Sequence, residues 1–364
     1  MNTPDNIEKR IRPDIKALAE YVPIEPTDII SQRIDVSPEQ IIKLDGNENP
    51  YGCSDKVKQA LANFTYYHIY PDPAQRELRK ALESYAGFNS EHILAGSGSD
   101  ELIDLVLRLF LKPGDGVINC PPTFGMYKFC TEVCGGRIVN ISRKQDFSID
   151  IPAVKKAIDK KTKVIFIASP NNPSANITTE MEIMELLATS IVVVVDEAYY
   201  EFSGKTIAHL VPQYSNLVVL RTFSKWAGLA GLRVGYGIFP TYLVGYLMKI
   251  KQPYNVNVAA QIAAIESLKD IDYLRGTIDA IINERQRLLG KLKEIEWLQV
   301  YPSNANFILC RVLRGRASEI HHNLQKKGIF VRHFNIPELK DCLRISIGKP
   351  EHTDRIISAL RENH

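Results

Sequence analysis

The sequence lacks the features that mark membrane, secreted or nucleic-acid-binding chains. Its apolar runs are strand-sized, far below the roughly 20 residues needed to cross a bilayer. The first thirteen residues, MNTPDNIEKRIRP, hold no apolar core, so no secretory signal is expected. Six cysteines (Cys53, Cys120, Cys130, Cys134, Cys310, Cys342) form no CxxC pair and no cluster with histidine. No metal site is expected from them, and thiols in a reducing, cytoplasmic compartment are the simpler reading. Lysine plus arginine (45) nearly balances aspartate plus glutamate (42), and no basic cluster stands out, so no nucleic-acid partner is implied. Glycine-rich nucleotide signatures are also missing. Gly204-Lys205-Thr206 is the only GKT, and Tyr199 stands where the leading glycine of a phosphate loop belongs. That leaves the acidic strand end at Asp196 without its nucleotide-hydrolase partner.

What is present is an alternation. At 364 residues the chain is too long for one ordinary core, and two domains are expected. Strands read at 116–120, 137–141, 163–168, 191–195 and 217–220, separated by helices near 99–111, 151–160 and 179–189. Ile191-Val192-Val193-Val194-Val195 is apolar at every position, as in a strand buried on both faces. The fold class expected is α/β, a mainly parallel sheet with helices on both sides. Past 257 the pattern turns into helices near 258–268, 273–294 and 317–327 with short strands at 306–311, 329–332 and 343–347, a smaller α+β domain. Residues 1–40 carry five prolines and read as an arm, with a short helix near 14–20, packing on the small domain. The expected division is an arm at 1–40, a large domain at 41–257 and a small domain at 258–364.

Four chemically loaded turns follow predicted strands: Gly96-Ser97-Gly98-Ser99-Asp100, Ser169-Pro170-Asn171-Asn172-Pro173, Asp196-Glu197-Ala198-Tyr199 and Thr222-Phe223-Ser224-Lys225. Ligands of such sheets bind beyond the carboxyl ends of the strands. Any one turn is explicable as packing; four together are not. Lysine is ordinarily a solvated charge, but Lys225 lies among Phe223, Trp226, Leu229 and Leu232, where desolvation leaves an amine able to condense with an aldehyde. The turn Gly98-Ser99-Asp100, with Ser99 read as a helix cap, offers open N–H groups to an anion, and Thr222, Ser224 and Arg233 add hydroxyls and a guanidinium. Asp196 ends an apolar strand, where a carboxylate demands a partner. Pyridoxal phosphate needs this set: a lysine, a phosphate site and an acid for its ring nitrogen. Asn172 and Tyr199 would donate to its phenolic oxygen. Phe124 reads equally as a ring stacked on the cofactor or as core packing.

The motifs DGNENPYG, YPDP, GSGSDE, PPTFGMY, SPNNPS, VVVVDEAYYEF, RTFSKWAGLAGLRVGYG and CLRISIG occur in this order over nearly the whole chain. The sequence resembles the fold-type I aminotransferases, most closely the histidinol-phosphate branch. The resemblance implies a fold-type I architecture, pyridoxal 5′-phosphate, a homodimer with shared active sites, and exchange of an amino group between histidinol phosphate and 2-oxoglutarate in histidine biosynthesis. Aromatic or broad-specificity aminotransferases and threonine-phosphate decarboxylase are related alternatives. By resemblance, Lys225 holds the cofactor and moves the substrate proton. Asp196, Tyr199 and Asn172 anchor the ring, Tyr70 reaches the phosphate from the neighbouring subunit, and Arg344 binds the substrate carboxylate. Tyr21, Asn47 and Arg332 fall at substrate positions. Two departures stand out. Ala175 replaces a glycine, which would reshape a turn needing positive φ, and Cys53 replaces a proline.

Overall fold

A computed structural model describes residues 7–20, 23, 25–34 and 36–362. Among these, twelve strands form two sheets: β1 (Ile42–Leu44), β2 (Ile93–Gly96), β3 (Gly116–Asn119), β4 (Arg137–Asn140), β5 (Thr162–Ala168), β6 (Val192–Asp196), β7 (Leu217–Thr222), β8 (Gly235–Ile238), β9 (Leu298–Val300), β10 (Phe307–Val312), β11 (Ile329–His333) and β12 (Cys342–Ser346). The seven-stranded sheet runs β2-β8-β7-β6-β5-β3-β4, with every neighbouring pair parallel except the two that involve β8. Alternate residues of its central strands enter opposite cores. Val193, Val195, Leu217 and Val219 pack on one face, and Val194, Val218, Leu220 and Phe166 on the other. That is why these strands are apolar throughout, and each such side chain contributes about 1.5–3 kcal/mol on burial.

Pattern alone marks no strand over Gly235–Ile238, because glycine weakens a strand and supplies no alternation. The glycines are there for clearance. A Cβ at Gly235 would sit 2.7 Å from the amide nitrogen of Ser99, and one at Gly237 would sit 2.4 Å from the ring of Phe239.

The smaller sheet runs β1-β11-β12-β10-β9 and is antiparallel apart from β1 beside β11. β1 corrects the expected division, since Ile42 pairs with Ile329 and Leu44 with Val331 rather than with the large sheet. Three residues with Ile42 and Leu44 inward can seat on either sheet's edge, and tertiary packing decides. A second correction concerns the arm. Its short helix, Pro13–Lys16, lies against the helix Met126–Val133 of the large unit, where Arg12 pairs with Asp14 and donates to the carbonyl of Val133 at 3.2 Å. A third concerns Ser99. The helix Gly98–Phe110 starts two residues earlier than a Ser99 cap requires, so Ser97 is the cap residue and Ser99 falls in the first turn. The long helix Ile271–Lys293 packs on β9 and β10 and on the helices Val258–Lys269 and Pro350–Arg361. Among the described residues no helix is long and apolar enough to cross a membrane.

Candidate active site

Parallel register aligns the strand ends. Ala168, Asp196 and Leu220 lie abreast in β5, β6 and β7, and Thr222 and Gly96 each face Gly235. Beyond this edge lies a cavity of about 590 Å³. Ser99, Asp100, Phe124, Asn172, Asp196, Tyr199, Thr222, Ser224, Lys225 and Arg233 line it from the large sheet, and Asn47, Arg332 and Arg344 close it from the other side. Gly98 lies just behind this lining, against the Arg233 guanidinium. Tyr70 lies elsewhere in its own chain, 76% exposed and stacked on Tyr254 at 4.4 Å. Tyr21 lies outside the described residues.

Asp196 is buried at the base of the cavity. Its Oδ2 accepts from the Tyr127 hydroxyl at 2.7 Å and its Oδ1 from the Ala198 amide at 3.0 Å. Burial pushes its carboxyl up to about 6, with Asp100 and Glu197 adding to the rise and the two hydrogen bonds opposing it. Asp196 lines the cavity, and the alternation of side chains turns its neighbour Glu197 away from it. Glu197 points the other way into a buried ion pair with Arg221, at 3.0 Å from Nε and 2.9 Å from Nη2, backed by Thr206 and the Ile207 amide.

Lys225 keeps part of its surface open to the cavity while its neighbours hem it in, and Nζ donates to the carbonyl of Gly46 at 3.0 Å. Burial, then the positive charge of Arg344, pushes its ammonium down to about 8, within reach of a neutral amine near physiological pH. Arg233 takes a left-handed backbone (φ 53°) and its Nη2 donates to Asp100 Oδ2 at 2.8 Å. Gly98 has a left-handed backbone (φ 77°), the conformation that favours glycine, and lies against that guanidinium. Thr222 Oγ1 donates to Ser224 Oγ at 3.0 Å beside it.

Asn47 ties the two sheets together across the site. It holds φ 52°, its Nδ2 donates to Tyr199 Oη at 3.0 Å, its Oδ1 accepts from Ser346 Oγ at 2.8 Å, and its carbonyl accepts from Asn306 Nδ2 at 2.9 Å. Arg344 does the same, donating to Asn172 Oδ1 at 2.6 Å and to the carbonyl of Asp45. Arg332 pairs with Arg344 directly across β11 and β12. Like charges opposite one another are destabilising unless an anion lies between them. Ser346, Asn306 and Tyr127 escape sequence reasoning. Only Tyr127 carried a signal, being one helical turn beyond Phe124 in PPTFGMY. Ala175 keeps a left-handed backbone (φ 57°) despite its side chain, and its carbonyl accepts from Asn304. Cys53 follows Gly52, whose backbone lies so near Gly228 that a Cβ there would meet it at 2.3 Å.

A desolvated lysine, a buried carboxylate held by neutral donors, and the hydroxyls of Ser99, Thr222 and Ser224 beside an arginine fit pyridoxal phosphate and define a fold-type I transferase site. The chain belongs to the family of class I and II aminotransferases, whose model matches residues 39–360, and its cofactor is pyridoxal 5′-phosphate. It is 50% identical over 357 residues to a histidinol-phosphate aminotransferase of Dehalococcoides mccartyi strain CBDB1, covering 98% of each chain. It is 48% identical over 355 residues to the chloroplastic histidinol-phosphate aminotransferase 1 of Arabidopsis thaliana, covering 97% of this chain and 85% of that one. The crystal structure of a Sinorhizobium meliloti histidinol-phosphate aminotransferase in complex with pyridoxal 5′-phosphate superposes with a TM-score of 0.87 at 24% identity, covering 98% of each, and shows the fold.

Proposed function

We propose that this enzyme exchanges an amino group between L-histidinol phosphate and 2-oxoglutarate, forming imidazole acetol phosphate and L-glutamate, in the cytoplasmic biosynthesis of histidine. The observation that carries it is the pair Arg332 and Arg344, side by side in the cavity wall that faces Lys225. A guanidinium pair takes the phosphate of one substrate and the carboxylates of the other with the same fork geometry. The 50% identity to a protein of that activity supports the same reading.

When bound, pyridoxal phosphate supplies an aldehyde for the amino group and a ring that accepts the electron pair of the substrate Cα–H bond. Lys225 Nζ holds the aldehyde between turnovers and moves the proton at substrate Cα. Asp196 receives the ring nitrogen, and Asn172 and Tyr199 bind the phenolic oxygen. Phe124 covers the ring. Gly98, Ser99, Thr222, Ser224 and Arg233 hold the phosphate, with Asp100 orienting Arg233. Asn47, Arg332, Arg344 and Tyr21 contact substrate. The two sheets belong to a large and a small domain, with β1 counted in the small one, so the site closes between them. The assay compares histidinol phosphate with phenylalanine and threonine phosphate. kcat/KM for histidinol phosphate should lead phenylalanine by roughly a hundredfold or more, because the Arg332 and Arg344 pair gains more from a phosphate dianion than from the single carboxylate of phenylalanine. Faster turnover of phenylalanine, or release of CO2 from threonine phosphate, would refute the assignment.

The same reading makes the enzyme a homodimer. Tyr66, Tyr67, Ile69 and Tyr70 are each at least half exposed, a row of apolar side chains that a second copy would cover. Tyr70 then donates its hydroxyl to the partner's phosphate site. Tyr70→Phe should leave the dimer intact and weaken cofactor binding by roughly ten- to a hundredfold, the worth of one charge-assisted hydrogen bond. Mixed with Lys225→Ala protomers, it should restore one parental-affinity site per heterodimer. Confirmed heterodimers with no such site would place Tyr70 in its own chain's chemistry or in none.

A further inference from the structure

Phe124 and Tyr127 lie three residues apart where the chain enters the helix Met126–Val133, so a single turn directs both at the cavity. Tyr127 is fully buried. Its ring lies flat on Phe166 of β5, with centroids 4.8 Å apart and planes 3° apart. Its edge meets Phe124 at 5.6 Å and 84°. Its carbonyl accepts from Thr131 Oγ1 at 2.6 Å. Ring and backbone are thus both held, and the hydroxyl is directed at Asp196 Oδ2, 2.7 Å away. With the Ala198 amide on Oδ1, the carboxylate is clamped at both oxygens.

We infer that Tyr127 is a positioning residue for the ring-binding carboxylate: its hydroxyl orients Asp196 and keeps it ionised, while its ring braces Phe124 in the cavity wall. This rests on the ring-nitrogen role proposed above for Asp196. Burial, Asp100 and Glu197 all favour protonation of Asp196, and the donors on its two oxygens are what oppose it. Burial and the adjacent carboxylate also push the Tyr127 phenol well above its usual range, so it remains a donor throughout the working pH. A donor to a carboxylate stabilises the charged form. Removing it makes Asp196 more basic and shifts the proton shared with the ring nitrogen toward Asp196, weakening the electron sink.

Tyr127→Phe removes the hydroxyl and keeps both ring contacts. The experiment loads parent and variant with pyridoxal phosphate carrying ¹⁵N in the ring, and records the ¹⁵N resonance beside kcat and KM for histidinol phosphate. In the variant the resonance should move from the pyridinium position toward the unprotonated one. kcat should fall roughly tenfold with KM within about twofold, since the loss is in electrostatic stabilisation rather than in substrate contact. An unmoved resonance overturns the inference, including where kcat or melting temperature drops, because the hydroxyl then serves packing alone. A parent whose ring nitrogen is already unprotonated would instead refute the role of Asp196 itself, and the inference with it.

Discussion

Lys225→Ala should fold, bind pyridoxal phosphate without the visible absorption of a lysine-bound cofactor, and lose transamination by roughly ten-thousandfold or more. Two functions vanish together: the amine that holds the aldehyde and the base that moves the Cα proton, the second alone typically worth a hundred- to ten-thousandfold. Folding should not suffer. The Lys225 ammonium is depressed from 10.5 to about 8 by burial, so the folded apoprotein carries a penalty for its charge. That depression corresponds to roughly 3 kcal/mol at neutral pH. The sign follows from proton uptake. Between about pH 8 and 10.5 the unfolded chain holds the proton and the folded one does not, so parental stability rises with pH there. Below pH 8 the penalty is complete. The alanine apoprotein should therefore match or exceed the parent's melting temperature at pH 7, and that advantage should shrink above pH 8. Parental turnover, or a retained visible band, would remove Lys225 from the chemistry. A large loss of melting temperature at pH 7 would show that its contact with the Gly46 carbonyl matters more than its desolvation.

The parts of the site that could be read from sequence are those where the fold writes chemistry beside a strand end. Lys225 and Asp196 were visible because wholly apolar runs, Leu217-Val218-Val219-Leu220 and Val192-Val193-Val194-Val195, stop abruptly at polar side chains. Such a run must be sandwiched, and its end must face the ligand crevice. Sequence distance hid the rest. Asn47 reaches Tyr199 and Ser346 across 152 and 299 residues, and nothing local to any of the three announces the others. β1 joined the smaller sheet because three residues carry too little pattern to choose a partner. β8 was silent because its glycines serve the approach of Ser99 and Phe239 rather than strand propensity. At Ala175 the expectation of a reshaped turn gave too much weight to one residue. The surrounding hydrogen bonds, from Ala175 N to the carbonyl of Asn171 and from Asn304 to that of Ala175, hold the left-handed backbone against its intrinsic cost of roughly 1–2 kcal/mol.

Asp196→Asn should give a folded protein that transaminates at least roughly a hundredfold more slowly, the scale on which loss of one preorganised charge is felt in a desolvated site. The amide cannot keep a proton on the ring nitrogen, so the electron pair leaving Cα has no charged acceptor. Stability separates this from general damage. Burial raises the Asp196 carboxyl from 3.8 to about 6, so the folded apoprotein binds that proton more tightly than the unfolded chain does. Its contribution is complete below about pH 4 and is lost as pH rises through 6, a change of roughly 3 kcal/mol. Asparagine does not titrate. The variant's apoprotein should therefore lack this fall, gaining on the parent between pH 4 and 6 and holding the gain above. Part of the gain is offset because the amide has one acceptor oxygen for two donors, Tyr127 Oη and the Ala198 amide, leaving one of them facing an NH2 group. Cofactor binding should reverse the order, since the parental carboxylate acquires a cationic partner and the amide does not. Denaturation of both proteins at pH 4 and pH 7.5, with and without pyridoxal phosphate, checks each step. A parent–variant difference independent of pH, or an Asn variant within a few-fold of parental kcat, would mean that the ring nitrogen is held by some other group.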